Sequence, residues 1–95
     1  MRVIIKKSTN SKKKYMAIFY EGDKKVRTTH FGAAGYSDYT KNKDDERKRL
    51  YIERHRKREN WNDKLSAGSL SCWILWNKKT FRDSVNDYKR RFNLT

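Results

Sequence analysis

The chain holds a single cysteine, Cys72, so it can form no internal disulfide and no cysteine-based zinc site. Nowhere does it reach the roughly 18 consecutive apolar residues that a membrane-spanning helix needs. The apolar run in Met1-Arg2-Val3-Ile4-Ile5-Lys6-Lys7 is too short for a signal peptide. No segment has the long one-sided apolar face of a membrane-surface helix either. A reducing compartment, cytosol or nucleus, is therefore expected, with no membrane partner. Histidines number two, His30 and His55. Acidic residues are also scarce, 11 Asp and Glu against 25 Lys and Arg, which leaves a formal net charge of +14 on 95 residues.

Aromatic residues are plentiful instead. Three Trp, six Tyr and four Phe make up 14% of the chain, whereas hydrophobic residues overall reach only 35% and mean hydropathy is -1.22. A chain that is merely charged stays unfolded, because it buries too little apolar surface to offset chain entropy. Large rings restore that balance. The length then suits one domain, 1–95, with one small core. A folded domain with a polycationic surface most commonly meets nucleic acid.

Residues 2–7 and 15–20 are runs rich in β-branched and aromatic side chains. A third run, 25–31, alternates Val26, Thr28 and His30 with Arg27, Thr29 and Phe31. Short polar connections predict a three-stranded antiparallel meander. Gly32 to Thr40 breaks the pattern, with two glycines and no periodicity. A helix is expected over 44–58, with Asp44, Asp45 and Glu46 in the first turn and basic residues gathering toward its end. Tyr51, Ile52 and His55 share the face expected to be buried, and Arg47, Arg54 and Arg58 fall on a neighbouring stripe bordered by Lys57. Asn60 to Asp63 reads as a loop. Ser66 can cap a helix over 67–76 that is apolar almost all round. Thr80 and Asp83 form a capping box for a helix over 80–92, whose Phe81, Val85, Tyr88 and Phe92 make one stripe. The fold class is α+β: a three-stranded antiparallel meander followed by three helices in a single small domain.

The excess charge is spread along these elements. Residues 1–31 carry a net +7, residues 41–58 a net +5 and residues 59–95 a net +3, with one Asp in 32–40. That distribution describes a charged folded surface rather than a polybasic tail. Arg and Lys neutralise phosphates, and Arg can also fork onto guanine edges, so Arg47, Arg54, Lys57 and Arg58 are the first nucleic-acid-binding candidates. The alternative for them is a solvated face paired with Glu53 and the aspartates. Lys12, Lys13 and Lys14, in an inter-strand loop, could clamp a backbone, with Arg27 assisting; a plain solvated loop is the competing reading. Lys89, Arg90 and Arg91 end the last helix, where cations complement the dipole in any case.

Other motifs point away from catalysis. Gly32-Ala33-Ala34-Gly35 matches neither a nucleotide-binding loop nor a dinucleotide fingerprint, and reads as a turn needing positive φ. A metal site would need both histidines plus carboxylates, and His55 on an apolar face suits a core role better. Asp44, Asp45 and Glu46 could hold Mg²⁺ in a nuclease, but a helix start explains them as capping and dipole groups. Cys72, beside Trp73 and Leu70, reads as buried and inert. No metal, no cofactor and no enzymatic activity are expected. Trp73, Trp76, Phe81, Tyr88 and Phe92 have the spacing of core residues. Tyr36, Tyr39 and Trp61 lie in loops beside basic segments, where they could stack on unpaired bases or pin the loops.

A series of blocks then stands out: Thr29-His30-Phe31-Gly32, Gly35-Tyr36-Ser37-Asp38-Tyr39-Thr40, Glu46-Arg47, Tyr51-Ile52-Glu53-Arg54-His55, Glu59-Asn60-Trp61, Ala67-Gly68-Ser69-Leu70-Ser71 and Ile74-Leu75-Trp76-Asn77. In this order, across Tyr15 to Phe92, it resembles a family of short basic proteins encoded by nucleocytoplasmic large DNA viruses, marseillevirus-like and phycodnavirus-like. The chain departs at two positions: a basic residue commonly follows the Leu-Ser pair where Cys72 stands, and a proline often precedes the last helix where Lys79 stands. The resemblance carries no catalytic motif. It implies a viral protein acting in host cytoplasm or nucleus, or in the virion, with a large double-stranded genome as candidate partner.

The function expected from these readings is sequence-tolerant binding of double-stranded DNA through phosphates. An interaction module for an acidic viral or host protein is the alternative. The strand at 2–7 could also pair with its copy in a homodimer.

Overall fold

The computed structural model describes all of residues 1–95. Three strands, β1 (Arg2–Lys7), β2 (Lys13–Glu21) and β3 (Lys24–Ala33), form an antiparallel sheet in the order β1-β2-β3, the expected meander. The β2–β3 turn closes on Gly22 at φ +59, a left-handed conformation that glycine adopts without Cβ strain. Register places Val3 opposite Phe19 and Tyr15 opposite Phe31, so these side chains share one face.

Four helical segments follow: α1 (Tyr39–Asn42), α2 (Asp45–His55), α3 (Ala67–Leu70) and α4 (Phe81–Arg91). The short α1 arises in the stretch that shows no periodicity in sequence. The Asp38 side chain accepts the Thr40 N–H to start it, and Lys43, left-handed at φ 51, ends it after one turn. The basic helix stops at His55, three residues short of expectation, because residues 56–58 form a turn in which the Arg58 N–H reaches the His55 carbonyl. The second expected helix, over 67–76, starts as α3, capped by Ser66, and widens into a π-helical turn at Ser71–Leu75. Thr80 caps α4 as anticipated. No helix is long and apolar enough to cross a membrane.

The core gathers Val3, Ala17, Phe19 and Phe31 from the sheet with Leu70, Ile74, Leu75, Tyr88 and Leu94. Trp73, Trp76, Phe81, Val85 and Phe92 pack around it, as their spacing implies. Tyr88 is fully buried and its hydroxyl donates to the Lys64 carbonyl at 2.6 Å, which satisfies a group that would otherwise be costly to bury. The backbone of Thr95 pairs with Met1 and Val3, covering the first part of the free edge of β1.

The α2 helix stands apart from this core. None of its residues is fully buried, including Tyr51, Ile52 and His55, which sequence periodicity assigns to a buried face. They are half-buried because the helix rests on a thin line of contacts: Tyr51 stacks on Trp76 at 4.6 Å and 6°, His55 stacks on Tyr51, and the Tyr39 hydroxyl donates to Asp45. Lys48 completes the attachment by donating to the Asn77 carbonyl at 2.7 Å. Most of the circumference of α2 faces solvent.

Candidate nucleic-acid interface

Charge pairing decides which cations are free to bind. Carboxylates engage only Lys14, Arg49, Arg90 and Arg91 among the Lys and Arg side chains. Most of the acids have local duties. Asp38 and Asp44 cap helices, Asp45 accepts from Tyr39, and Asp63 accepts the Leu65 N–H. Glu46 and Glu53 both hold Arg49, and the Arg49 guanidinium keeps Glu46 below its ordinary pKa. Burial alone would raise the Asp87 pKa, but hydrogen bonds from Asn77, Arg90 and Arg91 hold it down at about 2. The remaining lysines and arginines have no carboxylate partner, and most are exposed; Lys48 is an exception, half-buried and held by the Asn77 carbonyl.

Among the sequence candidates, Arg47 and Arg54 are exposed on α2, and Lys57 and Arg58 continue the basic surface in the turn beyond it. The Arg58 guanidinium reaches back to the Arg54 carbonyl at 3.5 Å. Of the lysine run expected in the inter-strand loop, only Lys12 lies in the turn, whereas Lys13 and Lys14 open β2; Lys12 and Lys13 are exposed at this end of the sheet. Lys14 requires a correction. Its ammonium pairs with Asp38 at 2.6 Å, with side chains only 9% and 2% exposed, so it ties β2 to the start of α1 and is not available to a phosphate. Arg27 lies apart from the others. It pairs in register with Phe19 while Lys13 pairs with Ala33, which puts it roughly 20 Å along the sheet, near the β2–β3 turn. Its Nε donates to Thr29 at 3.1 Å.

Two lysines outside the sequence candidates join the loop end. Lys7, at the end of β1, and Lys41, in α1, line a recess of about 490 Å³ together with Lys13 and Lys14. Their signal in sequence was charge alone, Lys6-Lys7 and Lys41-Asn42-Lys43, with nothing to show that the two segments meet.

The loop aromatics divide. Tyr39 is buried, its ring under the Lys48 ammonium at 4.9 Å, and is not a stacking surface. Trp61 is half-buried, and its carbonyl accepts from the Trp73 indole at 2.9 Å. Tyr36 is 72% exposed and open to a partner.

The groups weighed for catalysis are occupied elsewhere. His30 Nδ1 lies 2.7 Å from the Ser8 hydroxyl and His55 stacks on Tyr51, so the two histidines stand on different elements with separate partners. Asp44, Asp45 and Glu46 point to three different tasks rather than to one centre. Cys72 is buried, and burial pushes its thiol up to about 12, which makes it unreactive. Gly32 and Gly35 sit at φ +79 and +88, the positive φ their sequence indicates, but Gly32 does so within β3 and only Ala34 and Gly35 form the turn.

Fold and surface together define a small basic α+β domain with an outlying cationic helix. Residues 3–55 match a family of unknown function, DUF5754, and the chain belongs to that family. The match runs from β1 through α2, so it contains the sheet, the recess and the basic helix. No curated protein matches the chain, and no solved structure does.

Proposed function

We propose that this chain is a non-enzymatic, sequence-tolerant binder of double-stranded DNA that contacts phosphates through α2 and the adjoining loop end of the sheet. One observation carries the reading: a helix with no buried residue displays Arg47 and Arg54, followed by Lys57 and Arg58, while Asp44 caps the helix, Asp45 accepts from Tyr39, and Glu46 and Glu53 hold Arg49. A helix so lightly attached gains little for the core and presents its charge on several sides. Lys12 and Lys13 extend the contact, and Arg27 provides a separate one. The viral resemblance supplies a partner, the large genome of a nucleocytoplasmic DNA virus, bound during packaging or in the host cytoplasm or nucleus.

Titration of a labelled duplex at several salt concentrations tests this. Engagement of six phosphates gives a log–log slope of about −5, with unrelated sequences bound alike. Absence of duplex binding at low salt refutes it.

A second reading, capture of an acidic protein segment, is favoured by a groove between β1 and α4. Val3, Ile5, Phe81 and Val85 give it an apolar floor, and Arg82 and Lys89 flank it. Saturable binding of an acidic peptide that duplex DNA fails to displace supports this second reading.

A further inference from the structure

The recess at the loop end of the sheet has a character distinct from the convex surface of α2. Three exposed lysines line it from three separate elements: Lys7 from β1, Lys13 from β2 and Lys41 from α1. Bringing like charges together opposes folding, so such convergence has to be imposed by the frame around it. That frame is visible. The Lys14–Asp38 pair ties β2 to α1, the Ala34 N–H donates to the Lys12 carbonyl, and the Ser8 N–H donates to the Lys14 carbonyl.

No carboxylate lines the recess. The nearest acid on the frame, Asp38, is 1% exposed and already accepts from Lys14 and from the Thr40 N–H and hydroxyl. Ser11 and Tyr15 add hydroxyls to the lining. Burial and the Asp38 charge both raise the Tyr15 pKa, so this phenol stays a neutral donor. The local chemistry is therefore that of hydrogen-bond donors and positive charge around a volume of about 490 Å³.

Shape and charge together select the ligand. The phosphates of a duplex lie on a convex rod and touch the rim of a recess, whereas a compact phosphate chain can enter it. A terminal phosphate carries about −1.5 to −2 charges at neutral pH, so three ammonium groups outnumber the charge of one phosphate and match linked ones. We propose that this recess binds a chain of two or three linked phosphates, with Lys7, Lys13 and Lys41 as its charged contacts. The site goes beyond duplex binding and uses different residues from α2. The chain can be an inorganic oligophosphate or the phosphate tail of a nucleotide, both sharing this chemistry.

Calorimetric titration of the full chain at fixed ionic strength with tripolyphosphate, orthophosphate and a nucleoside triphosphate tests the proposal. The expected result is saturable one-to-one binding of tripolyphosphate, with orthophosphate about tenfold weaker or more, since it forfeits at least one charge-assisted contact. Equal affinity for the nucleotide assigns recognition to the phosphates; tighter binding assigns part of it to the nucleoside. Lys7→Gln, Lys13→Gln and Lys41→Gln each weaken tripolyphosphate about tenfold, while Lys78→Gln and Lys79→Gln, exposed and outside the recess, leave it unchanged. All five positions are exposed, so thermal unfolding without ligand stays close to that of the parent. Tripolyphosphate binding that is non-saturable, or equally sensitive to Lys78→Gln and Lys13→Gln, overturns the proposal. Arg47→Gln with Arg54→Gln separates the two sites: it weakens duplex binding and spares tripolyphosphate, so either function can fail alone.

Discussion

Replacing Lys14 by methionine tests how far the buried ion pair holds this fold together. The Lys14 ammonium lies 2.6 Å from the Asp38 carboxylate, and the two side chains are 9% and 2% exposed. Removing one member of a buried pair strands the other charge, which typically costs about 3–5 kcal/mol. Asp38 keeps its bonds from the Thr40 N–H and hydroxyl, which places Lys14→Met toward the lower end, about 3 kcal/mol. With a urea dependence of roughly 1–1.5 kcal/mol per molar for a chain of this size, the unfolding midpoint falls by about 2 M or more. Lys13→Met, one residue away and exposed, stays within about 0.5 kcal/mol of the parent. Adding Asp38→Asn to Lys14→Met costs less than the sum of the single changes, because no carboxylate is then stranded. Urea unfolding followed by Trp fluorescence reads the parent, Lys14→Met, Lys13→Met, Asp38→Asn and the double variant. A loss below about 1 kcal/mol for Lys14→Met, or an equal loss for Lys13→Met, refutes the assignment of Lys14 to the frame rather than to the ligand.

Three further outcomes follow from particular contacts. Gly32→Ala destabilises the fold by more than about 1 kcal/mol in the same unfolding assay, since φ there is +79 and an added Cβ would lie 2.8 Å from Leu75 Cδ1. Tyr88→Phe costs about 1–1.5 kcal/mol by chemical denaturation, through loss of the hydroxyl bond to the Lys64 carbonyl. Asp87 has a folded pKa of about 2, below its ordinary value of 3.8, so its stabilising effect is complete above the ordinary value and disappears as pH falls through about 2. Asp87→Asn is thus less stable than the parent at neutral pH, and thermal melts of the two converge by pH about 2.

The strands and the helix starts were legible because their causes are local. Alternation and β-branching mark β1 to β3, and Ser66 and Thr80 cap through bonds to N–H groups three residues ahead. The single turn α1 was not legible, since four residues are too few to show a helical period. The shared face of Tyr51, Ile52 and His55 follows from helical geometry, but its depth depends on what lies opposite. There it meets chiefly the single ring of Trp76, and none of the three becomes fully buried. The π-helical widening at Ser71–Leu75 leaves no mark in a segment that is apolar almost all round.

The candidate site divides along the same line. Sequence alone determined the sign and spread of the charge, the α+β class, and the placing of Arg47 and Arg54 on one helix, because composition and periodicity are properties of neighbours along the chain; Arg58, expected on the same stripe, falls in the turn beyond the helix. Tertiary structure decided which cations are free. Lys14 and Asp38 are 24 residues apart, and only folding brings them to 2.6 Å, turning one member of a lysine run into a structural strut. The same packing brings Lys7, Lys13 and Lys41 around one recess while leaving Arg27 near the other end of the sheet. Coulomb forces act through space, so the partners of a charge are set by the fold and not by its position in the chain.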